Sequence, residues 1–286
     1  MTRTVQLDTM DNAFQHVEVL KRNRTRRHQS GECFVEGVRP IQRLVDSRWR
    51  VRSVWSSGER PLSPWAGAVI QASSAERHYR LSPALMEQLS DREEPSELVL
   101  VAEMRRPRLA ALALPADLLV LVLDRPTSPG NVGTAIRSAD AFGAHAVVVT
   151  GHAADPFDPR AIRASMGSVF ALPVVEAAGP AEVAAWLAGL ADVAVLGTDS
   201  RGERPVRDAD LRRATVVVIG NEGAGLSYRL RELCAEVVRI PIATDSLNMA
   251  VAASIVLYEA ASQRQPPSRQ PPSRQPPSRE EPCTDR

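Results

Sequence analysis

"VVVIGNEGAGLS", residues 216–227, runs four β-favouring residues straight into a loop holding three glycines, one asparagine and one carboxylate. A run this apolar and β-branched reads as a strand covered on both faces. Glycines directly after a strand let a ligand approach the main chain closely. The stretch therefore predicts a buried sheet whose strand ends face a ligand, and by itself leaves the ligand open.

Working outward, the same signature recurs in "LLVLVLD" (118–124), "HAVVVT" (145–150), "VAVLGT" (193–198) and "EVVRI" (236–240). Helical patterns lie between several of them: "NVGTAIRSADAFG" (131–143), "PAEVAAWLAGL" (180–190) and "DSLNMAVAASIVLYEA" (245–260). Asp245 or Ser246 is expected to cap the last of these. Strand–helix alternation of this kind predicts an α/β domain with a parallel sheet. In such a sheet ligands gather outside the carboxyl ends of the strands. The loops there are "RPTSPGNVGTAIR" (125–137), "DSRGERP" (199–205), "NEGAGLS" (221–227) and "PIATDSLN" (241–248), rich in small residues, Asn, Ser and Glu.

Several chemistries are excluded by what these loops lack. There is no G-x-x-x-x-G-K-[ST] phosphate loop and no G-x-S-x-G nucleophile elbow. "GNEGAGL" has the wrong spacing for a dinucleotide fingerprint and follows a late strand rather than the first. Cys33, Cys234 and Cys283 form no C-x-x-C pair and have no histidine at zinc spacing, so neither a disulfide nor a metal site is expected.

The remainder of the 286 residues divides by composition. Residues 1–105 alternate short helical and extended patterns: "NAFQHVEVLKR" (12–22) as a helix, "CFVEGV" (33–38) as a strand and "RPIQRLVDS" (39–47) as a helix with Pro40 in its first turn. "VRSVW" and "ELVLVAEM" are further strands. Residues 106–116 are expected to be a linker and 117–262 the α/β domain. The tail, 263–286, repeats "QPPSR" three times and is expected to be disordered. No apolar run is long enough to span a membrane, and the first residues lack a signal-peptide core, so a cytoplasmic protein is expected.

Net charge is only +1, yet residues 1–60 carry twelve Lys or Arg against seven Asp or Glu. "KRNRTRR" (21–27) places five positive charges in seven residues, which favours a polyanionic partner. Arg22, Arg24, Arg26 and Arg27 are the candidate contacts.

"PGNVGTAIRSADAFG" (129–143), "IGNEGAGLS" (219–227) and "IPIATDSLNMAVAASIVLYE" (240–259) resemble the three motifs of the SpoU/TrmH branch of the SPOUT RNA methyltransferases. The resemblance covers residues 117–262. "RRHQSGECFVEGVRPIQRLVDS" (26–47) is similar to the L30-like RNA-binding domain that precedes many members. The resemblance implies S-adenosylmethionine (SAM) as methyl donor, an RNA ribose 2′-hydroxyl as acceptor, a homodimer and a trefoil knot. It places SAM against Thr198, Gly220, Ile240 and Leu247, with Ile219, Gly223 and Pro241 in the same cleft. It places Asn131, Arg137, Glu222, Ser246 and Asn248 around the acceptor ribose.

Similarity to antibiotic-resistance members of the family implies 23S ribosomal RNA, a uridine, and resistance to a ribosome-targeting antibiotic. The motifs are also compatible with the same chemistry on transfer RNA, or with a non-catalytic rRNA-binding protein. The family mechanism makes the residue matching Arg137 the base. A guanidinium stays charged in proteins, so a clamp on phosphate and ribose is the preferred role, with Glu222 expected to fix Arg137 or a loop amide.

Overall fold

Alternating short apolar and helical patterns between residues 3 and 103 produce the first of two sheets. The computed structural model describes residues 3–59, 61–90 and 94–264. The QPPSR repeats lie outside the described residues. The chain runs β1 (Arg3–Leu7), α1 (Asn12–Arg22), α2 (Arg24–Ser30), β2 (Glu32–Glu36) and α3 (Val38–Asp46), then β3 (Val51–Ser57), α4 (Pro64–Ser73), β4 (Arg77–Leu81), α5 (Pro83–Leu89) and β5 (Leu98–Glu103). The sheet order is β1-β4-β3-β5-β2. Strands β1, β4 and β3 are parallel, whereas β5 is antiparallel to both β3 and β2.

The basic run does not form one solvated arm. Asn23 ends α1 and also caps α2, its side chain accepting from the Arg26 amide at 3.1 Å. Gly31, at φ 69°, closes α2 in the left-handed region that glycine tolerates.

The second unit runs β6 (Leu119–Asp124), α6 (Pro129–Ala141), β7 (Ala146–Thr150), α7 (Pro159–Ala164), β8 (Val174–Ala177) and α8 (Pro180–Ala188). It continues through β9 (Ala194–Thr198), β10 (Arg204–Pro205), β11 (Thr215–Ile219), α9 (Tyr228–Leu233), β12 (Glu236–Arg239) and α10 (Met249–Arg264). Its sheet has the order β10-β12-β9-β11-β6-β7-β8, and every pairing is parallel. All residues of β6, β7 and β11 are buried, as the apolar runs require. The four-residue β8 and two-residue β10 are too short for periodicity to reveal.

The start of α10 departs from expectation. Asn248, not Asp245 or Ser246, caps it, its Oδ1 accepting from the Ala250 and Val251 amides at 2.9 and 3.3 Å. The 106–116 segment is not a free tether either, because Leu109 is buried against the second sheet's core.

The two units share one apolar core. Cys33, Val35, Ile41, Leu44 and Trp49 of the first join Val132, Ile136, Phe157 and Phe170 of the second. The Trp49 indole N–H donates to the Phe170 carbonyl at 2.8 Å, and its ring meets Phe170 edge-on. Beside this seam Arg27 pairs with Asp155 at 2.7 Å. Among the described residues, no helix is long and apolar enough to cross a membrane.

Candidate active site

Three strand ends, those of β9, β11 and β12, converge as the parallel sheet dictates, and with the start of α10 they enclose a cleft of about 400 Å³. That lies within the range of small-molecule sites, roughly 300–1,000 Å³. Thr198 at the end of β9, Ile219 and Gly220 at the end of β11, Gly223, Ile240 after β12, and Leu247 before α10 all line it. The expected acceptor-side residues Glu222 and Ser246 line it as well. Pro241 is exposed and falls outside the lining.

The glycines of the opening stretch have a specific steric reason at one position. A Cβ on Gly220 would lie 2.5 Å from the Gly225 carbonyl carbon and 2.6 Å from the Leu226 nitrogen, both backbone. The loop doubles back on itself there, with Asn221 and Gly225 exchanging amide–carbonyl hydrogen bonds of 3.0 Å. The Asn221 carboxamide then accepts from the Gly223 and Ala224 amides at 2.9 and 3.0 Å. The loop is a small hydrogen-bonded hairpin, not a flexible link.

At the cleft mouth three of the expected residues form a chain. Asn131, in the first turn of α6, donates to Glu222 at 2.7 Å and accepts from Asn248 at 3.1 Å. Glu222 also accepts a long bond of 3.5 Å from the Thr127 hydroxyl. Glu222 therefore fixes Asn131, and neither Arg137 nor a loop amide as expected. Arg137 lies farther along α6 and is exposed, and its side chain has no hydrogen bond or ion pair to any of the described residues. Helix α6 is seated tightly because Gly133 packs on α7: a Cβ there would sit 2.2 Å from the Ala161 carbonyl oxygen.

The sequence reading missed the residues beneath the loop. Asp124, 1% exposed, ends β6 and accepts from the Ser227 amide at 2.6 Å. A lone carboxylate closing an otherwise apolar strand was the available signal. Asp199 and Arg201 also line the cleft, and Asp199 pairs with Arg231 at 3.1 Å.

Two of the four candidate RNA contacts are engaged within the protein. Arg27 is 1% exposed and pairs with Asp155 and Asp158, so it is a structural residue and not a surface contact. Arg24 reaches Glu176 at 2.9 Å. Arg22 and Arg26 remain exposed, with Arg22 only 3.5 Å from Glu18. His28, Asp155 and Glu176 cluster closely enough to suggest a metal. The guanidiniums of Arg27 and Arg24 already occupy both carboxylates, which leaves the cluster a poor home for a cation.

Neither described cysteine is poised as a nucleophile. Burial pushes the Cys33 thiol up, and it pushes Cys234 up to about 11 despite the opposing charge of Arg231.

The SpoU rRNA Methylase family model matches residues 118–258, the parallel sheet with all of the cleft loops. The SpoU L30e-like domain model matches residues 11–101. A 23S rRNA (uridine(2479)-2′-O)-methyltransferase from Streptomyces viridochromogenes is 43% identical over 258 residues, 88% of this chain and 90% of that protein. The chain belongs to the SpoU rRNA methylase family. Among solved structures, the SpoU methyltransferase AviRb from the same organism, in complex with AdoMet (SAM), superposes with a TM-score of 0.84 at 43% identity. That match covers 89% of this chain and 98% of AviRb. An AdoMet-bound rRNA methyltransferase from Sinorhizobium meliloti reaches 0.82 at 27% identity, covering 92% of this chain and 99% of its own. As a SpoU member this protein is an RNA methyltransferase, with an L30e-like domain ahead of its catalytic sheet.

Proposed function

We propose that this enzyme transfers a methyl group from SAM to the ribose 2′-hydroxyl of a uridine in 23S ribosomal RNA. The modification would protect the ribosome from an antibiotic such as avilamycin. The observation that carries the reading is the junction of a glycine-walled cleft, lined by both polar and apolar side chains, with the Glu222–Asn131–Asn248 chain at its mouth. The residues present fit SAM: Ile219, Ile240 and Leu247 offer apolar walls, and Gly220 and Gly223 add side-chain-free backbone to the lining. Bound SAM supplies an electrophilic sulfonium methyl.

The protein's own residues then have separable tasks. Asn131 is held at both ends of its carboxamide, so it presents a fixed edge to the ribose. Glu222 and Ser246 stand at the border between cleft and mouth and orient the groups that meet there. The Arg137 side chain has no partner among the described residues and clamps the substrate phosphate and ribose oxygens with its planar fork. Positioning alone supplies up to about 7 kcal/mol of barrier reduction in well-oriented systems. A hydroxyl acceptor also suits a site with no activated thiol among the described residues, since covalent attack on a pyrimidine ring needs a thiolate.

RNA docking falls to the L30e-like domain, with Arg22 and Arg26 as outward contacts. The homodimer we propose uses α10, where Val251 and Tyr258 are 46% and 60% exposed and Tyr258 meets the Phe142 ring edge-on. The trefoil knot that the family resemblance implies is part of this reading. Gly202 packs closely on β12, where a Cβ would lie 2.3 Å from the Val238 carbonyl carbon. The enzyme acts in the cytoplasm, where its substrate is.

The deciding experiment replaces the target nucleotide by its 2′-deoxy form in an otherwise unchanged 23S fragment. Methyl transfer should vanish while RNA binding stays within a few fold. Methylation of the deoxy fragment at a comparable rate would falsify ribose methylation.

A further inference from the structure

The loop from Gly220 to Ser227 is tied to the end of β6 at both of its ends. At its start, the Asn221 carboxamide donates to the Arg125 carbonyl at 2.8 Å. At its finish, the Ser227 amide donates to the Asp124 carboxylate at 2.6 Å. Between these, the Arg125 guanidinium donates to the Gly225 carbonyl at 3.3 Å and grips Asp124 through two bonds of 3.0 and 3.1 Å. The Thr150 hydroxyl, at the end of β7, makes a long fourth contact to Asp124 at 3.5 Å. One buried carboxylate thus joins the ends of β6, β7 and the β11 loop.

Two features show that this arrangement costs free energy and is over-determined. Asp124 is 1% exposed and Thr150 fully buried, so the carboxylate is held away from water and depends on its partners. Arg125 adopts φ 50°, a left-handed backbone that non-glycine residues seldom take. That conformation turns the Arg125 carbonyl to Asn221 while its amide donates to Thr150 at 3.1 Å. We infer that Asp124 and Arg125 are positioning residues for methyl transfer: together they set the Gly220–Ser227 loop in the shape that receives the methyl donor. The inference rests on the reading of the cleft as the SAM site.

Neither residue lines the cleft, so their effect is transmitted through the loop. Loss of the pair frees a hairpin that carries Gly220 and Gly223 on the donor side and Glu222 on the acceptor side. Donor affinity and acceptor alignment should therefore fall together.

The test measures SAM binding by calorimetry and methyl transfer to a 23S fragment in the full-length protein. Wild type is measured first: no SAM binding there overturns the reading of the cleft itself. Arg125→Gly removes both guanidinium contacts while suiting the left-handed backbone; because it also strips buried Asp124 of its counter-charge, its melting temperature should fall, and binding is measured well below that temperature, where the variant is folded. Its SAM dissociation constant should nonetheless rise roughly tenfold, the scale of one charge-assisted hydrogen bond. Asp124→Asn should raise KM for SAM by at least as much, and the double variant should be no worse than the weaker single one, since both disrupt one unit. Should Asp124→Asn fail to fold, Arg125→Gly carries the test alone. SAM affinity and KM within twofold of wild type in folded Arg125→Gly would overturn the inference while leaving the cleft assignment intact.

Discussion

Arg27 of the L30e-like domain and Asp155 of the catalytic domain form an ion pair of 2.7 Å with side chains only 2% and 3% exposed. The pair lies beside the shared apolar seam, where Trp49 meets Phe157 and Phe170. Removing one partner leaves a buried charge uncompensated, which costs about 3–5 kcal/mol. Arg27→Ala should therefore lower the stability of the whole chain. Arg22→Ala with Arg26→Ala should leave stability unchanged, weaken RNA binding and flatten its salt dependence, because fewer counterions are released. Urea unfolding and RNA titration at two salt concentrations separate the two. Wild-type RNA affinity in the Arg22/Arg26 double variant would remove the α1–α2 segment from the RNA surface.

The same carboxylate predicts a pH dependence. Burial pushes the Asp155 carboxyl up, but the His28 imidazole 3.6 Å away, the Arg27 charge, the Phe157 amide and the Arg27 hydrogen bond together hold it below the ordinary range. A carboxyl whose folded pKa is depressed contributes stability in full above the unfolded value, about 3.9, and loses it as pH falls through the folded one. The stability gap between wild type and Asp155→Asn should be constant from pH 7 to about 5 and should narrow below about 4. Urea midpoints at pH 6 and pH 3.5 give the answer, and an unchanged gap would mean that Asp155 does not titrate with folding.

Glycine positions offer a sharper steric test. A methyl group on Gly133 meets the Ala161 carbonyl at 2.2 Å and Ala164 Cβ at 2.8 Å, so α6 must move off α7. Overpacking of this kind typically costs 1–3 kcal/mol, roughly the loss expected for Gly133→Ala. Because α6 carries Asn131 and Arg137, methyl transfer should fall by more than the stability loss explains. Turnover measured well below the melting temperature of the variant would reveal it, and full activity there would uncouple the helix seat from catalysis.

Much of this architecture was legible because burial on both faces leaves a plain mark. The apolar runs of β6, β7 and β11 have no polar face to confuse them, and the loops at their carboxyl ends stand out by contrast. The basic run was misleading for a physical reason. Arg27 finds its counter-charge 128 residues away, and no local pattern encodes that meeting. The cap of α10 was equally undetermined locally, since Asp245, Ser246 and Asn248 can all serve. Tertiary contact favours Asn248, whose amide group reaches Asn131 while its oxygen caps the helix. Strand β4, "RHYRL", escaped notice because its charged residues point outward from a core built by Tyr79 and Leu81.

In the proposed mechanism Arg137 serves the chemistry and not the scaffold. It is exposed, has no partner among the described residues, and is absent from the cleft lining, so nothing in the fold or the donor site depends on it. Substitution should leave the melting temperature within the small range of exposed positions, about ±0.5 kcal/mol, and leave SAM affinity unchanged. Methyl transfer should fall on the order of a hundredfold in Arg137→Ala, the scale of a misplaced reactant. The informative comparison is Arg137→Lys. Lysine keeps the charge but is a point donor without the planar fork that engages two oxygens at once. If clamping is the task, lysine should recover little, and the pH–rate profile should keep its shape while its height drops. A lysine variant close to the wild-type rate would make charge alone sufficient. A profile that gains a new ionisation near the lysine range would instead assign the proton-accepting role to this position.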